Sequence, residues 1–224
     1  MTWLKYILSF FLLFFILPGF TQDAGMPYAE DIVRFKEIDK INPPPQYAIL
    51  FAGSSSFTLW KDVQDYFPGF TIINRGFGGS TLLDQIHYVE NIVFPYSPKQ
   101  IVIYCGENDL ASSDTISSDL VTNRFVTWFN LVRTELPDVR ITYVSMKPSP
   151  SRWHLAEKFI EANRNIHKFI DSQTNAAFVN IWDSMLNENN RPDPDLFLDD
   201  SLHMNTNGYR IWQKLIQPEL INKQ

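Results

Sequence analysis

Residues 47–56 have the sequence YAILFAGSSS, a short apolar run that ends in a glycine and three serines. A run that is apolar on both faces is typical of a strand buried inside a parallel sheet. Four more runs of this kind lie at residues 70–74, 100–104, 140–146 and 177–181. We therefore expect five buried strands, the first of which covers residues 47–52.

Longer segments with helical periodicity separate these runs, at residues 80–93, 117–135, 156–172 and 207–221. A further amphipathic helix is expected at Ala29–Ile41, with Ile32, Phe35 and Ile38 on one side, and it should end before the prolines at 43–45. Strands that alternate with helices predict an α/β fold. We expect a doubly wound, mainly parallel five-stranded sheet in a three-layer α/β/α sandwich.

The N-terminus carries the pattern of a secretory signal peptide. A single lysine, Lys5, precedes a predominantly apolar run without charged residues at residues 6–17, and Pro18 and Gly19 follow it. This pattern predicts cleavage after Thr21 and export to the periplasm or out of the cell. The run is shorter than the roughly 20 residues that span a membrane. An uncleaved membrane anchor is the alternative.

The remaining chain divides into a leader at residues 22–46, made of the helix and a proline-rich linker, and one domain at residues 47–224. Cys105 is the only cysteine, so no intrachain disulfide can form. The net charge of the whole chain is −6, and removal of residues 1–21 takes away one lysine and leaves −7. This acidity argues against a nucleic acid or a stable membrane partner.

Glycine-bearing turns follow the first three expected strands, at Gly53, at residues 76–79 and at Gly106. Ligands bind outside the carboxyl ends of the strands in an open parallel sheet. The three turns should therefore meet at one edge of the sheet. The segment at residues 200–203, just before the last helix, can fold back to the same edge.

These segments contain the side chains that acyl transfer to water requires. Ser55 is the candidate nucleophile, and a serine hydroxyl needs a neighbouring imidazole to take its proton. His203 is the candidate base, and Asp200 would hold its ring in the required tautomer. The residues alone leave alternatives open: Ser54 or Ser56 as the nucleophile, Asp199 as the orienting acid, or a helix N-cap without catalytic function.

Candidate donors for a developing oxyanion lie in the same turns. They are the side-chain amide of Asn108 and the backbone N–H groups of Gly79 and Ser55. An asparagine that only stabilises its own turn is the alternative interpretation of Asn108. The pattern predicts no cofactor and no metal, since one cysteine and scattered histidines do not form a zinc motif and the acidic residues lack calcium-loop spacing.

Four blocks resemble those of the SGNH (GDSL-type) hydrolases, a family of esterases and lipases. They are GSSSFTLW at 53–60, NRGFGGS at 74–80, GEND at 106–109 and DSLH at 200–203. The first block resembles that of the subgroup related to platelet-activating-factor acetylhydrolase subunits. Ser54 stands where the family usually has the aspartate of its Gly-Asp-Ser motif. The resemblance implies a flavodoxin-like fold, with Ser55, Asp200 and His203 as catalytic residues and Ser55, Gly79 and Asn108 forming the oxyanion hole. Relatives include dimers, so a homodimer is one option.

We therefore expect an exported serine esterase that cleaves short-chain esters, above all acetyl esters, with a small molecule or a saccharide as the alcohol. Ser54, Arg75 and Trp153 are the candidate substrate-binding residues. Trp60, Phe77 and Trp153 could stack on a sugar, or they could simply form part of the core. The alternatives are a lysophospholipase or thioesterase that acts on longer acyl chains, and a carbohydrate-binding protein without catalytic activity.

Overall fold

The computed structural model describes residues 25–222, and the expected signal peptide lies outside them. Its strands are β1 (Ile49–Gly53), β2 (Ile72–Gly76), β3 (Gln100–Tyr104), β4 (Arg140–Val144) and β5 (Ala176–Val179). They form one sheet in the order β2-β1-β3-β4-β5, and all neighbouring strands are parallel. This is the strand order of flavodoxin-like folds, and it confirms the predicted fold class.

Helices cover both faces of the sheet. In the described chain they are α1 (Ala29–Ile41), α2 (Ser55–Thr58), α3 (Val63–Tyr66), α4 (Leu82–His87), α5 (Val89–Ile92), α6 (Glu107–Ser112), α7 (Ser118–Glu135), α8 (Ala156–Asp171) and α9 (Thr206–Ile216). Alternate residues of β1 enter two separate cores. Leu50 belongs to the core that also contains residues of α1, α4, α5, α7 and α8, whereas Phe51 belongs to the core that contains residues of α2, α3 and α9. The sandwich therefore has three layers.

Two predicted helices differ from the observed ones. The stretch expected as one helix at 80–93 is divided into α4 and α5 at Tyr88, whose backbone angles of φ −98° and ψ 9° are not helical. The last helix was expected to reach residue 221 but ends at Ile216. Pro218 follows within a 3₁₀ turn, and proline lacks the N–H that would continue an α-helix.

Helix α1 has the predicted bounds and packs on the domain. Ile32 and Phe35 enter the core as expected, but Ile38 is 46% exposed, so the predicted apolar side was wrong at that position. Asp39 faces the domain instead, where it accepts hydrogen bonds from Arg75 and Tyr96. Within residues 25–222, no helix combines the length and the apolar character needed to span a membrane.

Candidate active site

Ser55 is presented by a tight turn at the end of β1. Gly53 has φ +144°, and a Cβ atom at that position would lie 2.0 Å from the carbonyl oxygen of Tyr104. Only glycine allows β1 to approach β3 so closely at this point. The N–H of Ser54 then donates to the same Tyr104 oxygen at 3.1 Å, and Ser55 begins α2. The chain thus leaves the sheet with Ser55 at its carboxyl edge.

His203 is held in a compact loop that precedes α9. One carboxylate oxygen of Asp200 accepts hydrogen bonds from the N–H groups of Leu202 and His203, both at 2.9 Å. The carbonyl oxygen of His203 accepts from the N–H of Leu198 at 2.8 Å. Backbone hydrogen bonds therefore fix the loop on both sides of the imidazole.

Helix α9 ties this loop to the Ser55 turn. The hydroxyl of Tyr209 donates to the carbonyl oxygen of Ser56 at 2.9 Å across 153 residues of sequence. Gly208 allows close packing, since a Cβ there would lie 2.6 Å from the carbonyl oxygen of Leu196. These contacts bring two distant segments of the chain together at one edge of the sheet.

The three candidate catalytic side chains form a continuous hydrogen-bonded row. His203 Nε2 lies 3.0 Å from Ser55 Oγ, and His203 Nδ1 lies 2.6 Å from Asp200 Oδ2. A carboxylate only accepts hydrogen bonds, so Nδ1 carries a proton and Nε2 can accept the serine proton. Ser54 and Ser56, the alternative nucleophiles, are almost fully buried. Of the two candidate orienting acids, Asp200 and not Asp199 contacts the imidazole.

The environment keeps Asp200 ionised. Its partial burial raises the pKa of the carboxyl group, but hydrogen bonds from the His203 backbone, the His203 ring and the Leu202 backbone outweigh this effect. The pKa of Asp200 is therefore lowered to about 2. A carboxylate at this place stabilises a protonated imidazole, which is what a general base becomes after it takes a proton.

The candidate oxyanion donors lie in the turns that follow β1, β2 and β3, at the carboxyl edge of the sheet that also carries Ser55. Gly79 has φ +85° in the turn after β2, and within residues 25–222 neither its N–H nor that of Ser55 donates a hydrogen bond. The side-chain NH₂ of Asn108 donates to the carbonyl oxygen of Ser80 at 3.0 Å, which leaves its second hydrogen available. Tyr28 of the leader borders this turn, with its hydroxyl 3.3 Å from the position of a Cβ on Gly79.

A buried aspartate connects two of these turns. Asp109 is fully buried, and its carboxylate accepts from the N–H of Leu82, the first residue of α4, at 2.9 Å. Its other oxygen accepts from Arg124 at 2.7 Å. The segment with Asn108 is thereby fixed to the segment with Gly79. Asp109 lies in the GEND block, but the block pattern does not predict this bridging function.

A charged cluster that was not predicted from the sequence lies next to Asn108. Arg152 Nη2 donates to Asn108 Oδ1 at 2.9 Å, and Arg152 Nη1 lies 3.0 Å from Glu107 Oε1. The second contact is electrostatic and is not a well-aligned hydrogen bond. Lys147 donates to Glu107 Oε2 at 2.7 Å. Burial raises the pKa of Glu107, but the charges of Lys147 and Arg152 outweigh it and lower that pKa.

Arg75, which was predicted to bind substrate, links β2 to helix α1. Its guanidinium donates to Asp39, to the hydroxyl of Tyr96 at 2.6 Å and to the carbonyl oxygen of Asn74 at 2.8 Å. Alternation along β2 directs Arg75 toward the face that α1 covers, and the residue is only 9% exposed. In this structure the guanidinium of Arg75 contacts other parts of the protein, and its contact with substrate stays a prediction.

The other residues predicted to contact substrate differ in how far they are exposed to solvent. Trp60 and Phe77 are fully buried core residues, as the alternative interpretation held. Trp153 is partly exposed and packs against Trp182, with ring centroids 6.0 Å apart and planes at 26°. Ser54 is 3% exposed, and its contact with substrate stays a prediction, as does that of Trp153.

Within the described part of the chain, no three histidine, cysteine, aspartate or glutamate side chains gather in a way that could hold a metal ion. A cleft of about 960 Å³ exists elsewhere, lined by residues such as Tyr47, Thr71 and Lys99. Each of these residues precedes a strand, so the cleft lies at the amino end of the sheet. The candidate catalytic row lies at the carboxyl end.

Comparison with known proteins identifies one family and solved structures of the same fold. The sequence profile of the GDSL-like lipase/acylhydrolase family matches residues 47–211. A GDSL-like lipase from Bacteroides thetaiotaomicron has a TM-score of 0.72 at 22% identity, over 84% of this chain and 96% of that chain. A Streptococcus pneumonia protein named for platelet activating factor has a TM-score of 0.75 at 19% identity, over 86% and 92% of the two chains.

An acetylxylan esterase from Geobacillus stearothermophilus, crystallised as a catalytic mutant, has a TM-score of 0.63 at 14% identity. The match covers 80% of this chain and 96% of that chain. At these identities, the likeness to solved structures shows the fold alone. No curated protein matches this chain at a significant level.

Proposed function

This chain belongs to the GDSL-like lipase/acylhydrolase family, whose members are ester-hydrolysing serine hydrolases, and from that premise we propose that it removes short acyl groups, above all acetyl, through an acyl-serine at Ser55. The observation that carries the proposal is the row Ser55–His203–Asp200, with contacts of 3.0 Å and 2.6 Å. Membership in a family of hydrolases sets aside the alternative of a non-catalytic carbohydrate-binding protein.

In the acylation step, His203 Nε2 takes the proton of Ser55 Oγ while Oγ attacks the carbonyl carbon of the ester. Asp200 accepts the Nδ1–H and stabilises the imidazolium. The tetrahedral intermediate collapses, and the alcohol leaves with the proton that His203 returns. Water then repeats the sequence, with His203 again as base, and releases the acid and free Ser55.

The negative oxygen of the intermediate is bound by the N–H groups of Ser55 and Gly79 and by the Asn108 amide. What supports this is that neither backbone N–H donates a hydrogen bond elsewhere in residues 25–222 and that Asn108 has one hydrogen to spare. Loss of one such donor typically lowers kcat by about 100-fold to 1,000-fold.

The substrate class has two supports. One is the similarity in fold to a protein described as an acetylxylan esterase. The other is the partly exposed Trp153, which lies in the segment whose Ser151 N–H donates to the Ser201 carbonyl oxygen at 3.1 Å, beside Asp200. An amphipathic ring at the rim of a site is suited to contact a sugar. We take an acetylated saccharide as the preferred substrate.

The first test is p-nitrophenyl acetate turnover by the wild type, Ser55→Ala and Ser54→Ala. Ser55→Ala should lose turnover, and Ser54→Ala should retain measurable turnover because Ser55 and His203 remain. Equal rates for the wild type and Ser55→Ala would end the proposal.

The second test compares acyl chains and alcohols. Acetyl esters should be cleaved faster than octanoyl esters, and acetylated xylo-oligosaccharides should release acetate in a Ser55-dependent reaction. Preference for octanoyl esters, lysophospholipids or acyl thioesters would replace this substrate class with the lysophospholipase or thioesterase alternative.

Export is part of the proposal. It is supported by the order of features at residues 5–19, where a lysine is followed by an apolar run and then by the helix breakers Pro18 and Gly19. The mature protein should begin at Gln22. Intact-mass analysis of the protein made in its native host checks this, and a full-length mass in the cytoplasmic fraction would contradict it.

A further inference from the structure

Arg152 contacts the side-chain amide of Asn108. It belongs to the 3₁₀ turn Pro150–Leu155, which precedes α8, whereas Asn108 lies in the first turn of α6. Arg152 Nη2 donates to Asn108 Oδ1 at 2.9 Å across 44 residues of sequence. The proposed catalytic steps do not use this arginine.

The contact fixes which way the Asn108 amide points. A guanidinium only donates hydrogen bonds, so the amide atom that faces Arg152 must be the oxygen. A carbonyl oxygen only accepts, so the amide atom that faces Ser80, at 3.0 Å, must be the NH₂ group. Together the two partners hold the amide plane and prevent its flip. The second NH₂ hydrogen then points away from Ser80 in one fixed direction.

Arg152 is itself held by a buried carboxylate. Its Nη1 lies 3.0 Å from Glu107 Oε1, and the Glu107 side chain is only 4% exposed. The other oxygen of Glu107 accepts from Lys147, at 2.7 Å, and from the Tyr104 hydroxyl. The Lys147 side chain is only 2% exposed, so the anchor is rigid. Glu107 is also the residue before Asn108, and the arginine and the amide therefore share one support.

We propose that Arg152 is a positioning residue for transition-state binding: it orients the Asn108 amide and polarises it, so that the remaining N–H becomes a stronger donor to the oxyanion. This inference rests on the proposed function, in which Asn108 binds that oxygen. A hydrogen bond donated to an amide oxygen draws electrons from its nitrogen, and hydrogen bonds in a chain strengthen one another. Such an effect grows as the oxygen becomes negative, so it acts on kcat more than on KM.

A double-mutant cycle on acetyl ester hydrolysis tests the proposal. Arg152→Gln should lower kcat by about 10-fold to 100-fold and change KM by less than about 3-fold, which is part of the loss expected for a missing oxyanion donor. In an Asn108→Ala background, Arg152→Gln should change kcat by less than about 3-fold, because the side chain through which it acts is gone. Arg210→Gln, an exposed arginine on α9, serves as the matched control and should leave kcat unchanged.

Three outcomes would overturn the proposal: an unchanged kcat in Arg152→Gln, losses that multiply in the double variant, or wild-type kcat in Asn108→Ala. If Arg152→Gln does not fold, Arg152→Lys carries the same cycle, since lysine keeps the charge beside Glu107 but cannot contact both partners with a planar fork. The kcat of Arg152→Lys should be reduced while its melting temperature stays close to that of the wild type.

The two failures can be told apart. A wild type without Ser55-dependent turnover would overturn the proposed function as well. A Ser55-dependent enzyme in which the kcat losses of the two single variants multiply would overturn this inference alone.

Discussion

Asp39 of helix α1 and Arg75 at the end of β2 form a largely buried ion pair, which joins the leader to the strand that runs into the Gly79 turn. The guanidinium lies over the rings of Phe35 and Tyr96, at 5.2 Å and 4.8 Å from their centroids. Asp39 also accepts from the Tyr96 hydroxyl at 2.6 Å. Helix α1 precedes the segment that matches the family, yet it is packed as part of the same core.

We expect Asp39→Asn to lower the free energy of unfolding by about 2 kcal/mol, because it removes the charge from a hydrogen bond to a buried guanidinium. Asp31→Asn is the control on the same helix: Asp31 contacts Arg34, whose side chain is 55% exposed, and an exposed pair contributes less than about 1 kcal/mol. Urea unfolding of both variants provides the measurement. Equal losses would show that the Asp39 contact does not anchor the leader.

The Gly53 turn should not tolerate a side chain. Gly53→Ala places a Cβ at 2.0 Å from a backbone oxygen at a φ of +144°, so we expect a loss of more than about 3 kcal/mol or no folded protein. Gly69→Ala provides the control, since Gly69 has φ +90° and nothing within 4 Å of its Cβ position. It should lose only about 1 kcal/mol, from backbone strain. Similar thermal unfolding of the two variants would contradict this account of the turn.

Asp200→Asn should lower kcat by about 1,000-fold to 10,000-fold, because an asparagine can donate to Nδ1 and so favour the wrong tautomer of His203. Asp199→Asn is the neighbouring control and should stay within about 3-fold of the wild type, since Asp199 does not contact the imidazole. Steady-state kinetics with p-nitrophenyl acetate measure both. A larger loss in Asp199→Asn would transfer the orienting function to Asp199.

The lowered pKa of Asp200 makes a prediction about acid stability. Because the folded-state pKa is about 2, below the unfolded value, the Asp200 contacts stabilise the protein above about pH 4 and are lost as the pH falls toward 2. The difference in unfolding free energy between the wild type and Asp200→Asn should therefore shrink over that interval. Carbon-detected NMR of the Asp200 carboxyl group should give the midpoint, and a midpoint near 4 would contradict the account.

Much of the fold could be predicted because its signals are local. Each strand is a short apolar run that can be recognised without its neighbours, and the prolines at 43–45 mark the end of α1. The bounds that failed depend on less local effects. The break at Tyr88 lies inside a continuous helical pattern, and Tyr88 packs edge-on against Phe77, a residue of another segment.

Candidate site residues could be predicted where they lie in a recognisable sequence block. Residues whose function depends only on contacts between distant segments could not. Ser55 and His203 lie 148 residues apart, but each lies in a block of recognisable composition. Arg75 lies in such a block too, yet its partner Asp39 is 36 residues away in a segment without a motif. Arg152 gives no local signal at all, because its importance comes from the position of Asn108 and Glu107 in space.

The most direct test of the central claim is fluorophosphonate labelling of the wild type, Ser55→Ala and His203→Ala at neutral pH, followed by peptide mass mapping. A serine is nucleophilic only while an imidazole can take its proton. We predict one labelled peptide in the wild type, modified at Ser55, no label in Ser55→Ala and slow labelling in His203→Ala. A label on another residue, or equal labelling of the wild type and His203→Ala, would contradict the account.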